Sequence, residues 1–195
     1  MDSERRTMMT RHRGIFLTGE PGSGKTTAVY KAVEILGKSC RLAGFLAPEL
    51  RSSEGYRLGF NIRDLRGREW CLARRGYHSP VRVGRYGVCV DYVNEAVEIL
   101  RGELLGSDVD IIIIDEIGPM ELKVSSLRNL IIDVLLGDKP VIGVVHRRLK
   151  TSDPEVYRLV ERKGVILYMT RQNRDLITSR FLRYVEEIRN EYCSY

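Results

Sequence analysis

The residues best suited to chemistry stand near the start of the chain: Gly19, Glu20, Pro21, Gly22, Ser23, Gly24, Lys25 and Thr26, followed by Thr27. They fit the pattern G-x-x-x-x-G-K-[ST]. Glycines at these positions let successive backbone N–H groups converge on a phosphate with no Cβ in the way. Lys25 adds a point charge suited to the β- and γ-phosphates of a nucleotide, and the Thr26 hydroxyl suits Mg²⁺. The stretch reads as a phosphate loop. Whether the bound phosphate chain is cut, passed to an acceptor or only sensed has to be decided elsewhere in the chain.

The deciding residues come about ninety positions later. Ile111, Ile112, Ile113 and Ile114 form an apolar run that ends in Asp115 and Glu116, followed by Ile117 and Gly118. Four isoleucines in a row read as a central strand buried on both faces, with the two carboxylates at its C-terminal end. Asp115 is placed to orient Mg²⁺ together with Thr26. Glu116 is placed to take a proton from an attacking water, a base that a kinase delivering its phosphoryl group to a hydroxyl does not usually need. Glu116 and Lys25 are therefore the expected catalytic residues. His146 ends the next apolar run, where a γ-phosphate sensor would stand. Asn173 and Arg174 follow the last strand and suit contacts to base or ribose, or for Arg174 the neutralisation of transition-state charge. Asn173 suits a helix N-cap equally well, with Asp175 in the first turn. Arg147, Arg148 and Arg171 are further candidates for that neutralising charge.

These residues need elements to hold them. "GIFLTG" reads as a buried strand entering the loop, and Val29, Ala32, Val33 and Leu36 recur after it at helical spacing. Short strand-like runs separated by "SSEG" and "DLRG" predict an antiparallel meander over residues 42–73, inserted after the first helix. Val93, Ala96, Val97, Leu100 and Leu104 share one helical face, as do Val124, Leu127, Leu130, Ile131, Val134 and Leu135. "KPVIGVVH" and "VILYM" read as strands, "DPEVYRLVERKG" as a short capped helix and "NRDLITSRFLRYVEEIRN" as a closing helix. The alternation predicts an α/β fold with a mostly parallel sheet, one domain over residues 14–195, behind a flexible basic tail over residues 1–13.

Composition narrows the partners. No apolar run approaches a membrane span or a secretory signal, so the expectation is a cytoplasmic chain with no membrane partner. The net charge of +6 owes much to Arg5, Arg6, Arg11 and Arg13 in the tail, and no aromatic-basic repeat supports a nucleic-acid partner. Cys40, Cys71, Cys89 and Cys193 show no C-x-x-C spacing, and His12, His78 and His146 form no ligand pair. The expectation is reduced cysteines, no structural zinc and a monomer. The 25 Arg against 7 Lys, with Gln172 as the single Gln, leaves a hot habitat open.

Taken together, "GEPGSGKTT", "GFLAPELR", "GYRLGF", "IDEIGPMEL" and "TRQNRD" resemble the cancer-related, or thermophilic, nucleoside-triphosphatase family, from about Gly14 to the closing helix. The resemblance implies a RecA-like P-loop domain, three layers α/β/α. It also implies Mg²⁺-dependent hydrolysis of the γ-phosphate of ATP, GTP and other nucleoside triphosphates, slow and with little base preference. Gly118, Met120 and Glu121 would shape the loop after the strand rather than touch phosphate. Ser23 stands where relatives often have Val, and the tail has no counterpart in the family. Two other readings share the phosphate loop: a nucleotide or polynucleotide kinase, with the meander arginines Arg51, Arg57, Arg63, Arg66 and Arg68 over an acceptor, and a nucleotide-gated switch that binds RNA or protein. On the outer face of an antiparallel sheet those arginines are more simply solvated.

Overall fold

A ten-stranded sheet runs through the computed structural model, which describes residues 13–193. Strand β1 (Gly14–Gly19) enters the phosphate loop, and helix α1 (Lys25–Leu36) leaves it. Strand β2 (Leu42–Leu46) is followed by β3 (Glu49–Arg51), β4 (Arg57–Asp64), β5 (Glu69–Arg75), β6 (Arg82–Val83) and β7 (Tyr86–Val88). Helix α2 (Val90–Leu105) returns the chain to β8 (Ile111–Ile117), and a one-turn 3-10 helix (Glu121–Lys123) precedes α3 (Ser125–Leu136). Then come β9 (Val141–Val145), the short α4 (Leu149–Ser152), α5 (Pro154–Lys163), β10 (Val165–Met169) and α6 (Arg174–Tyr192).

The strands lie in the order β10-β1-β9-β8-β2-β4-β5-β7-β6, with β3 paired to β4. The five strands β10, β1, β9, β8 and β2 are parallel, so their carboxyl ends share one edge. From β4 onward every pairing is antiparallel. The meander thus continues the main sheet instead of forming a separate one, and its limits differ from the expected 42–73. Residues 42–46 are a parallel strand in register with β8, Leu42 opposite Ile111 and Leu46 opposite Asp115, and the antiparallel part extends to Val88. "LAGFL" has no polar alternation, as a strand between two others and covered on both faces requires.

Period-two alternation sorts β8 between two cores. Ile112 and Ile114 pack with Phe16, Val141 and Val145 under α2, α3 and α5. Ile111 and Ile113 pack with Ile15, Leu17 and Ile142 under α1 and α6. The chain crosses from β1 to β2 over one face and returns by α2, α3 and α5 over the other, as right-handed crossovers demand. The capped helix expected from "DPEVYRLVERKG" starts at Asp153, whose carboxylate accepts the Val156 N–H at 3.1 Å, with Pro154 in the first turn.

Two sequence expectations are corrected here. The cysteines are paired, not reduced: Cys40 to Cys193 and Cys71 to Cys89. Cys40 follows α1 and Cys193 ends α6, and those two helices pack side by side on one face of the sheet. A separation of 153 residues hides such a pair from any reading of spacing. Cys71 lies on β5 and Cys89 just beyond β7, its pairing neighbour. The expected tail also loses its last residue to the folded body, because the Arg13 carbonyl accepts the Val141 N–H and its guanidinium pairs with Asp138. The rest of that tail lies outside the described residues.

The meander arginines are mostly engaged with acids of the same surface. Arg51 and Arg57 share Glu49, Arg63 binds Glu69, and Arg66 and Arg68 meet on Glu103, Arg68 holding Asp64 as well.

Candidate active site

The phosphate loop leaves β1 between its neighbours β10 and β9. Glycine is required at both of its ends. Gly19 has φ +133°, and a Cβ there would lie 2.0 Å from the Met169 carbonyl oxygen of β10. Gly24, which caps α1, has φ +105°, and its Cβ would press on the Arg174 guanidinium at 3.2 Å. Between them the loop turns on itself, with Ser23 N–H donating to the Glu20 carbonyl and the Lys25 ammonium to the carbonyls of Glu20 at 2.7 Å and Gly19 at 3.2 Å. Lys25 and Thr26 open α1, so the positive end of that helix faces the same space.

Asp115 and Glu116 sit near the carboxyl end of β8. Strand β9 lies between β1 and β8, and two inter-strand spacings hold the carboxylate strand about 10 Å from the loop strand. The loop and the carboxylates thus face each other across the carboxyl end of β9. His146, directly after β9, stands above the gap, and its backbone N–H donates to the Ile117 carbonyl. A Cβ on Gly118 would touch three groups at once: Glu121 Oε2 at 3.1 Å, His146 Cβ at 3.2 Å and Glu116 Oε1 at 3.6 Å. A side chain at that position would push these groups apart.

Burial dominates the electrostatics. It raises the Asp115 carboxyl to about 6, opposed by the Thr26 hydroxyl and the Lys25 charge. Glu116 is pushed up to about 7 by burial and by the neighbouring Asp115 charge. Glu121, fully buried, rises to about 8 through burial and the Glu116 charge. Lys25 falls below its usual range by burial, although Glu116 and Asp115 favour its charged form. His146 is lowered by burial and then by Arg147, Arg148 and Lys25, which leaves the ring neutral at pH 7. Its Nδ1 accepts the Arg148 N–H at 3.2 Å, so the ring proton belongs on Nε2.

The structure brings Lys25, Thr26, Asp115, Glu116 and His146 to one edge and distributes the other expected site residues differently. Ile111, Ile112, Ile113, Ile114 and Ile117 are buried in the two cores and cannot reach a ligand; they carry the carboxylates. Ser23 is buried too, and its hydroxyl has no partner among the described residues. Asn173 stands at the N-cap position of α6 without capping it. Its side chain accepts the Thr170 N–H at 2.7 Å and donates to the Tyr168 carbonyl at 3.1 Å, closing the turn after β10. Arg174 donates from Nε to the Ser23 carbonyl at 2.7 Å and from Nη2 to the Gly22 carbonyl at 3.3 Å. It braces the phosphate loop. Sequence reasoning missed that brace, which joins residues some 150 positions apart, and it missed the burial of Glu121, for which an acid inside the apolar "IGPMEL" was a usable signal.

A family model described as NTPase matches residues 14–182. The chain belongs to this family. It is 40% identical over 179 residues to the nucleoside-triphosphatase THEP1 of Hyperthermus butylicus, covering 90% of this chain and 92% of that one. Of solved structures, THEP1 from the hyperthermophile Aquifex aeolicus matches with a TM-score of 0.73 and 35% identity, covering 89% of this chain and 99% of the other. A human cancer-related nucleoside triphosphatase matches with a TM-score of 0.71 and 28% identity, over 91% and 98% of the two chains. Among the described residues of this family member no helix is long and apolar enough to cross a membrane.

The donor set fits Mg²⁺. Asp115 is a buried carboxylate with no cationic side chain within ion-pair distance among the described residues, and the Thr26 hydroxyl at the start of α1 acts on it. Both are hard oxygen donors, and Mg²⁺ takes one or two such groups and completes its shell with water and substrate phosphates. Among the described residues no three His, Cys, Asp or Glu side chains gather as a self-sufficient metal cage, and a site of this kind needs none.

Proposed function

We propose that the protein is a Mg²⁺-dependent nucleoside triphosphatase that hydrolyses the γ-phosphate of ATP, GTP and related triphosphates in the cytoplasm, slowly and with little base preference. The observation that carries this reading is Glu116: a buried carboxylate beside Asp115, one strand removed from the phosphate loop, with Gly118 leaving space in front of it. The loop N–H groups, the Lys25 ammonium and the α1 terminus hold the β- and γ-phosphates. Thr26 and Asp115 would hold Mg²⁺, which when bound offsets charge on the β- and γ-oxygens. Glu116 accepts a proton from the attacking water as the new P–O bond forms and the bond to the β–γ bridging oxygen breaks, giving the diphosphate and inorganic phosphate. The neutral His146 ring offers an N–H donor near the same gap.

Phosphate release measured over tri-, di- and monophosphates of the common bases, with and without Mg²⁺, tests the whole reading. ATP and GTP at similar rates, no release from monophosphates and none without the cation is the expected pattern. Transfer of labelled phosphate to a nucleoside, nucleotide or oligonucleotide acceptor would replace hydrolysis by kinase chemistry. Glu116→Gln should bind nucleotide as the wild type does and lose on the order of 10² to 10⁴ in kcat. A wild-type rate would remove Glu116 as the base.

A further inference from the structure

Charge builds on the transferred phosphoryl oxygens during hydrolysis, and a nucleotide site normally meets it with a cation in addition to the loop lysine. Four arginines stand on the turns of the carboxyl edge: Arg147 and Arg148 after β9, Arg171 and Arg174 after β10. Their positions differ in ways that separate their roles.

Arg174 is already engaged, its Nε and Nη2 donating to the loop carbonyls of Ser23 and Gly22. Arg171 reaches the outer side of the loop, with Nη2 3.7 Å from the place of a Cβ on Gly22. Strand β10 flanks β1 on the side away from β9 and β8, so Arg171 approaches the loop from the side opposite Glu116. Arg148 gives its backbone N–H to the His146 ring and opens α4, and its charge is felt at His146.

Arg147 is the arginine of this turn whose charge is felt at Lys25, the cation of the phosphate loop. It follows His146 at the end of β9, the strand between β1 and β8, and therefore between Lys25 and Glu116. It is exposed, and neither it nor Lys25 has an ion-pair partner among the described residues. Two cations held near one another repel, and negative charge that develops between them in the transition state relieves that repulsion. We infer that Arg147 is a catalytic residue: its guanidinium moves onto the γ-phosphoryl oxygens and neutralises the charge that develops as the bond to the bridging oxygen breaks. Its planar fork can take two oxygens at once, which an ammonium cannot. The inference rests on the hydrolytic reading above.

The test compares full-length wild type with Arg147→Ala, Arg147→Lys, Arg171→Ala and Glu116→Gln. Phosphate release at saturating ATP and Mg²⁺ gives kcat, calorimetric titration with a non-hydrolysable ATP analogue gives affinity, and thermal melting reports folding. Arg147→Ala should lower kcat on the order of 10³ while analogue affinity stays within about threefold. Arg147→Lys should recover part of the rate, and Arg171→Ala should raise KM more than it lowers kcat. An unchanged kcat in Arg147→Ala, or an affinity that falls as far as kcat does, overturns the inference. A normal rate in Glu116→Gln beside a loss in Arg147→Ala removes the base and leaves Arg147 standing. The reverse pattern removes Arg147 and leaves the hydrolytic reading standing.

Discussion

Arg174 touches the phosphate loop at its backbone carbonyls. Its two N–H donors hold the Ser23 and Gly22 carbonyls and so fix the backbone of the loop. Hydrogen bonds from a charged donor contribute about 1.5–3 kcal/mol each. Arg174→Ala is therefore expected to weaken nucleotide binding about tenfold or more, raising KM well beyond any change in kcat. Titration with the non-hydrolysable analogue checks this, and an unchanged affinity would mean the loop holds its shape alone. At this scale the sequence was legible where one residue type has one use. Lys25, Thr26, Asp115 and Glu116 were named from their neighbours in the chain. The brace was not, because an arginine beside a helix start has several ordinary roles and nothing in "TRQNRD" says which carbonyls lie within its reach.

At the scale of elements, strong periodicity made the helices and the parallel strands readable. The apolar stripe of α3, the Asp153 and Pro154 start of α5 and the isoleucines of β8 each satisfy a local rule that tertiary packing then reinforces. The start of the meander was misplaced because β2 is short and apolar, and its direction relative to β8 depends on a crossover, which no local pattern records. The same crossovers set α1 and α6 side by side and join their far ends through Cys40 and Cys193. Closing a chain segment of 153 residues restricts the unfolded ensemble by about 5 kcal/mol in the chain-entropy model, with about 2–5 kcal/mol typical on removal of a native bridge. Cys193→Ser should lower the melting temperature by about 5–15 °C while kcat at 25 °C stays close to wild type, since the bridge lies at the opposite end of both helices from the phosphate loop. Equal melting temperatures for the variant and wild type in oxidising buffer would show that the bridge adds nothing.

The whole molecule carries one pH dependence that its sequence conceals. Lys163 ends α5 under the sheet, where its ammonium donates to the Gly137 carbonyl at 2.6 Å. Burial, and then the charge of Arg13, push its pKa from 10.5 down to about 8, against the pull of Asp138. The folded state thus disfavours the charged form. Below about 8 the lysine is charged in both folded and unfolded chains and the cost is fully present; as pH rises from about 8 to 10.5 the cost fades. Against Lys163→Met, the wild type should gain about 1–2 kcal/mol of relative stability between pH 7 and pH 10. Urea midpoints at the two pH values measure it, and a constant difference would show that Lys163 keeps an ordinary pKa in the fold.

What the sequence determined by itself is the chemistry that depends on adjacent residues. A glycine-rich loop entering a helix is shaped for phosphate, and an acid pair ending an apolar strand faces the carboxyl edge, because both follow from backbone geometry within a few residues. The tertiary structure alone decided which strand stands between the loop and the acids, which arginine holds the loop carbonyls, and which cysteines meet. Those relations join residues dozens to more than a hundred positions apart, and only the order of strands and the hand of the crossovers sets them.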